Sequence, residues 1–485
     1  MRDSASGPVT ISPDFWSRLD VTRALACRDI GELFRLLKKW AGLSQTRIGE
    51  ATGQSQGRVS YIINGKYQVT TINSLTRIAD GLRMPGPARA ALGLASGPAS
   101  QAGSPPAPAT PGRPHHPVPG AQYPVTTQQA VMASSSLWHA DAARSQDVLS
   151  APLDPHAWNA AALAWLLSPP DSTPPETNGH GRAVGHADVT RVRTSTALFA
   201  QLDNRLGGAH ARRTLIHYLD RDAAALLAGR YTDDVGRELF AAVAEASLLA
   251  AWTSYDCGLH GLAQRYFVQA LRLAHSAADR RLACSVMSAM SHQATYLGHL
   301  PEAVNLARAA REGLRDQATP ALMAQFLTME ARAVARSGDN RGCHAALTAA
   351  ERTFDAPEPG RDPEFISYFT EAELAAELAH CFRDLGDASQ AAHHAALAAP
   401  SDGEYARSDF FVAMVLADAL ADIGDPDQAC HAALGALHTG EALTSARCVA
   451  YVREFRKRLY RFDGSPAVRD FAEQAAGHTL WVKAA

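Results

Sequence analysis

The chain has 485 residues, of which 46% are apolar, and its 46 Lys and Arg nearly balance 49 Asp and Glu for a formal net charge of −3. That length predicts two to four domains with room for sizeable cores. No apolar run approaches the roughly 18 residues of a membrane span, and the start, MRDSASGPVT, lacks the apolar centre of a signal sequence, so we expect a cytoplasmic protein with no membrane partner.

Residues 1–27 read as an N-terminal extension. The first predicted helix, Asp29 to Trp40, places Ile30, Leu33, Phe34 and Leu37 at i, i+3, i+4 and i+7. Leu43 to Gly65, LSQTRIGEATGQSQGRVSYIING, then has the spacing of a helix-turn-helix. Ser44 is suited to cap a helix whose inward face is Ile48 and Thr52. Gly49 leaves space where the next helix crosses, and Gly53 suits the left-handed end of the helix. Ser55 can cap the following helix, with Val59 and Ile62 turned inward. The outward face of that helix carries Gln56, Gly57, Arg58, Ser60 and Tyr61, a donor and acceptor set in place of a Glu/Lys mixture. Gln pairs with adenine through N6 and N7, and Arg suits guanine or phosphate. A further helix is predicted through Ile72, Leu75, Ile78, Ala79 and Leu82, and a short one over Ala88 to Leu94 completes a five-helix unit at 28–95.

Over these residues the chain resembles the Xre, or lambda-repressor-like, family of bacterial regulators, in its Ser44-Gln45, the small Gly49, the turn at Gly53 and the run Asn64-Gly65-Lys66. The resemblance implies that Gln56, Gly57 and Tyr61 face base edges of double-stranded DNA, while Lys38, Gln45, Asn64 and Lys66 lie near phosphates. Gly57 departs from the pattern, because glycine has no side chain with which to read a base. Charge agrees with a DNA-binding head: residues 28–95 hold ten Arg and Lys against four Asp and Glu, a net of +6, which leaves −9 for residues 96–485 once the balanced first 27 are set aside.

Residues 96–130 read as a disordered linker, since Ser96 to Gly120 is almost entirely Ser, Gly, Ala and Pro. Residues 131–185 form a poorly defined segment with a loop, and residues 131–167 of it, which include the apolar Trp158, Leu163, Trp165, Leu166 and Leu167, are expected to pack as a cap on the first helical repeats. Over 186–485 the glycines announce a repeat: Gly258, Gly298, Gly338, Gly386, Gly424 and Gly464 recur at intervals of 40, 40, 48, 38 and 40. Five positions later come Ala263, Ala303, Cys343, Ala391 and Ala429; the sixth unit has Arg469 there and reads as a terminal cap. A turn glycine followed by a small residue at a helix crossing describes stacked helical hairpins. The stretch Tyr255 to Leu271, YDCGLHGLAQRYFVQAL, resembles tetratricopeptide repeats, with a period longer than the usual one. The fold class expected is therefore all-α: a helix-turn-helix head, a linker and an α-solenoid.

Chemistry other than binding finds no support. Seven cysteines, at 27, 257, 284, 343, 381, 430 and 448, are odd in number and form no CxxC, and the pairs His115-His116 and His393-His394 have no completing ligand set, so we expect no metal. Phosphate-loop and dinucleotide motifs are absent, and His217 with Asp220 sits among arginines as a charged surface, so we expect neither catalysis nor a cofactor. Counting back three, six and ten residues from each repeat glycine assigns Trp252, Tyr255, His292, Arg332, His380 and Arg383 to a concave groove for a peptide or protein partner, with Arg332 or Arg383 pairing a carboxylate. The whole chain is similar to actinobacterial Xre-type regulators with tetratricopeptide-like C-terminal domains. That resemblance implies a transcriptional regulator, expected to act as a homodimer. The alternative is a scaffold whose helix-turn-helix module does not read DNA.

Overall fold

The computed structural model describes residues 11–16, 18–26, 29–64, 69, 72–85, 88–89, 118–168, 181–314, 317–356, 361–398 and 403–485. The chain divides into two compact units, Met1–Pro114 and His115–Ala485. Both are all-α, and the only β-type pairing among the described residues is an isolated bridge between Ala183 and Arg230.

The head contains helices α1 (Pro13–Trp16), α2 (Leu19–Ala26), α3 (Ile30–Trp40), α4 (Gln45–Thr52), α5 (Gln56–Ile63) and α6 (Ile72–Gly81). The expected five-helix unit is thus larger at its start. The extension contributes Phe15, Trp16, Val21 and Leu25 to the same core as Leu33, Phe34, Leu37, Ile48 and Val59. An aromatic-rich segment that buries this much apolar surface cannot behave as a solvated tail. Of the last predicted helix only Ala88 and Arg89 fall within the described residues, and both are helical.

In the second unit the linker composition misplaces a boundary. Residues 96–117 lie outside the described residues, and residues 118–130, the end of the expected linker, pack into the second unit. Gln269 donates from Nε2 to the carbonyls of Gly120 (2.9 Å) and Gln122 (3.0 Å), and Arg272 donates from Nε to that of Pro124 (2.8 Å). Side chains far along the sequence supply the hydrogen bonds that a Pro/Gly-rich segment cannot make with itself. The segment at 131–167 is likewise well formed. It holds α7 (Thr127–Ala142), opened by a capping box of Thr126 and Gln129, and α8 (Pro155–Leu167), whose Trp158 and Trp165 are buried in the same core as Trp138.

The repeats follow as antiparallel helical hairpins. After α9 (His186–Leu206) and α10 (Gly208–Tyr218) come α11 (Asp233–Asp256) with α12 (His260–Ser276), α13 (Arg280–Leu297) with α14 (Leu300–Leu314), and α15 (Pro320–Arg336) with α16 (Asn340–Phe354). The series ends with α17 (Glu371–Leu385) and α18 (Ala388–Leu397), α19 (Ala406–Ile423) and α20 (Pro426–Thr439), and α21 (Ala446–Leu459). The first helices of successive hairpins pack on one another as an inner layer. All six repeat glycines take a left-handed φ, between 79° and 97°, which only glycine adopts without a Cβ penalty. Ala263, Ala303, Cys343, Ala391 and Ala429 are all fully buried where two helices of a hairpin cross.

The hairpins curl until the last ones meet the first. Gly207 separates α9 from α10 at φ 83°, and a Cβ there would lie 2.8 Å from the Thr444 carbonyl, so the backbones approach as closely as glycine permits. The Thr444 N–H donates to the Leu206 carbonyl at 2.9 Å. Beside this junction Arg407 on α19 pairs with Asp203 (2.7 Å) and lies 3.7 Å from Asp256, whose carboxylate also accepts from the Ser445 hydroxyl (2.8 Å) and the Gly208 N–H (2.9 Å). Burial pushes the Asp203 carboxyl up despite Arg407 beside it. The junction is a buried electrostatic clasp.

Candidate nucleic-acid interface and concave groove

The helix-turn-helix is built by local rules. The Ser44 hydroxyl accepts from the Arg47 N–H (3.2 Å) and that of Ser55 from the Arg58 N–H (3.3 Å), so each short helix begins on a side-chain cap. Gly53 ends α4 at φ 66°. A Cβ on Gly49 would stand 2.6 Å from the Gln54 carbonyl, which holds the turn tightly against α4. Ile48, Val59 and Ile62 are buried, and the Thr52 hydroxyl is satisfied within its helix by the Ile48 carbonyl at 2.7 Å.

Two further glycines, not singled out from sequence, fix α5 and α4 against their neighbours. A Cβ on Gly31 would lie 2.7 Å from the Ile62 carbonyl, and one on Gly81 would overlap that of Ala51. Their signal was a glycine inside an otherwise good helical pattern, which costs about 1 kcal/mol against alanine and so asks for a packing reason.

Of the predicted DNA residues, Ser55 to Asn64 lie on or cap α5, Gln45 opens α4 and Lys38 lies on α3. Ser55, Gln56, Gly57, Arg58 and Tyr61 are exposed, Tyr61 to 57%, and Ser60 is half-buried with its hydroxyl 3.4 Å from the Asn64 amide nitrogen. Nothing lies within 4 Å of where a Gly57 Cβ would be, so packing does not require glycine there. Gln45 is half-buried as the first residue of α4, and Lys38 and Asn64 are exposed. Lys66 lies outside the described residues.

In the repeats, the six groove residues converge on the inner layer but are already engaged. Tyr255 is fully buried with its hydroxyl 3.3 Å from His292 Nδ1, and half-buried Trp252 packs 5.8 Å from the Tyr255 ring and 5.3 Å from that of His292. Arg332 donates to Glu377 at 2.9 Å, and Arg383 to Asp384 at 2.8 Å with Asp418 at 3.8 Å, so both cations have internal carboxylates. Burial, and after it the nearby arginines, hold His292 and His380 well below the usual imidazole range, which makes both neutral near pH 7.

Two residues of this cluster escaped the sequence reading. Arg447 and Tyr451 of α21 enter the same space: the Arg447 guanidinium lies 4.6 Å over Tyr255 and 4.5 Å over Phe411, and the Tyr451 ring lies 4.7 Å from Phe411 and 6.0 Å from His380. Counting back from Gly464 does not reach either of them. Only the curl of the hairpins brings α21 to α11.

A family model described as a helix-turn-helix domain matches residues 29–92. The match spans α3 through α6 and leaves α1 and α2 outside. Neither a curated protein nor a solved structure matches the chain. Among the described residues no helix is long and apolar enough to cross a membrane. Residues 29–92 therefore form a helix-turn-helix domain of DNA-binding type.

Proposed function

We propose that this protein is a cytoplasmic, sequence-specific transcriptional regulator of the Xre type. The single observation that carries the reading is the exposed Gln56, Arg58 and Tyr61 surface, with half-buried Ser60 beside it, on a capped helix that the rest of the head holds by backbone-to-backbone packing. The dimensions of a duplex major groove admit such a helix, and these side chains match its donor and acceptor pattern. The repeats are read as a tetratricopeptide-like domain that takes a peptide or protein partner and so modulates the head. One head buries little DNA surface, so the reading includes a homodimer on two half-sites about 34 Å apart.

A gel shift of the full chain against genomic fragments tests it. Selective retardation at moderate salt, abolished by Arg58→Glu in a protein that still melts cooperatively, is the expected result. Equal affinity for every fragment, or an unchanged shift in the variant, overturns it. The second reading, a scaffold with a non-reading head, draws on Gly57, which leaves the middle of the reading face without a side chain.

A further inference from the structure

The concave cluster holds one cation that its own chain does not neutralise. Arg332 and Arg383 face Glu377 and Asp384, but Arg447 has no carboxylate within ion-pair distance among the described residues. The nearest candidate, Asp256, is engaged by the Gly208 N–H, the Ser445 hydroxyl and Arg407. Arg447 is only 7% exposed, and its Nε is buried with no hydrogen-bond partner, as are Nε of Arg332 and Nδ1 of His380 in the same cluster. A buried guanidinium clamped between two aromatic faces is held rigidly, yet cation–π contact leaves its in-plane N–H donors unspent. The walls around it are not sealed from water: Trp252, His292, Tyr296 and Tyr451 are each partly accessible.

We infer that the centre of the closed solenoid is a binding site for a monocarboxylate carried on an apolar or aromatic body, with Arg447 as its anchor. The inference rests on the proposed ligand-responsive role of the repeats and moves the anchor from the arginines chosen by repeat spacing to one supplied by α21. The charge count selects a monoanion. With Arg332, Arg383 and Arg407 each already opposite an acid, one positive charge remains, and a dianion such as phosphate would bring a second negative charge with no free cation to offset it. A carboxylate suits the planar fork of arginine, and the surrounding rings favour an apolar body beside it. The same chemistry comes from two sources, a peptide C-terminus or a free small acid.

Thermal unfolding of the full chain, with Trp fluorescence as a second readout because Trp252 lines the site, tests this with four probes. These are the tripeptide Ala-Ala-Phe with a free C-terminus, its C-terminal amide, phenylacetate and inorganic phosphate. A saturable rise in Tm of about 2 °C is expected with the free tripeptide, phenylacetate or both, which identifies the source, and none with the amide or phosphate. In Arg447→Gln the response disappears. If that variant fails to fold, Phe411→Leu decides instead: it keeps the guanidinium and removes one clamping face, and should weaken binding several-fold. No response to either acid, equal responses to acid and amide, a matching response to phosphate, or an unchanged response in the deciding variant each overturns the inference. Selective DNA retardation by the same preparation shows that such a failure belongs to this site and not to the regulator reading.

Discussion

The head and the repeat unit solve opposite electrostatic problems. Among the described residues of the head, the buried polar or charged side chains are Thr52 and Arg89, and the remaining described charges lie at or near the surface. The repeat unit buries Asp141, Asp203, Asp256, Arg272, Glu330, Arg332, Glu377, Asp418 and Arg447. A domain that meets a polyanion needs its cations in water, where they can exchange counterions for phosphates. A superhelix needs a defined curvature, and buried ion pairs impose geometry even when they add little net stability. Asp141 shows the device: it accepts from Arg212 (2.5 Å) and from the Tyr266 hydroxyl (2.7 Å), tying α7 to α10 and α12.

The contrast is most exposed to failure at the clasp. Arg407→Ala leaves Asp203 and Asp256 buried without their cation and should destabilise the repeat unit by about 3–5 kcal/mol in chemical unfolding; a loss below about 1 kcal/mol would show that the closure does not depend on it. In the head the corresponding test is steric. Gly81→Ala drives a Cβ into the Ala51 carbonyl and should cost about 1–3 kcal/mol or more, whereas Gly57→Ala meets open space and should gain up to about 1 kcal/mol, both read from thermal melts.

Salt separates the two regions by function. If each head neutralises about four to six phosphates, the log-log salt slope of DNA binding should be on the order of −4 to −5 per head. Lys38→Ala should reduce its magnitude by about one, with sequence preference retained. A slope near zero would remove the phosphate contacts from the account.

The smallest effect is a pH dependence confined to the repeats. Burial, and after it the neighbouring Glu377, pushes the Glu373 carboxyl up to about 8 from 4.5, so the folded state keeps a proton that the unfolded chain releases. The stability this gives below about pH 4.5 is lost as pH rises toward 8. His292 and His380 act in the other direction, because their depressed pKa values give stability that is present above pH 6.5 and lost as pH falls below it. The melting temperature of the repeat unit should therefore decline on both sides of a maximum in the weakly acidic range. Glu373→Gln should flatten the alkaline side, and an identical profile in that variant would exclude Glu373 as its source.

Features that depend on near neighbours are legible in the amino-acid order. Caps at Ser44 and Ser55, the left-handed Gly53, the inward Ile48, Val59 and Ile62, and the repeat of left-handed glycine followed by a buried small residue are all dictated within one or two helical turns, so spacing alone placed them. It also brought Trp252, Tyr255, His292, Arg332, His380 and Arg383 to one inner layer. Tertiary structure decided the rest. Phe15 and Trp16 became core because the apolar cluster of the head was there to receive them, and residues 118–126 are held in place because Gln269 and Arg272 reach back to their carbonyls. Arg332 and Arg383 turned inward to internal acids, and Arg447, invisible to any repeat count, arrived between Tyr255 and Phe411. The physical reason is that the curvature of stacked hairpins accumulates from small rotations at every interface. Only their sum, which no local pattern encodes, decides which distant helix closes the groove.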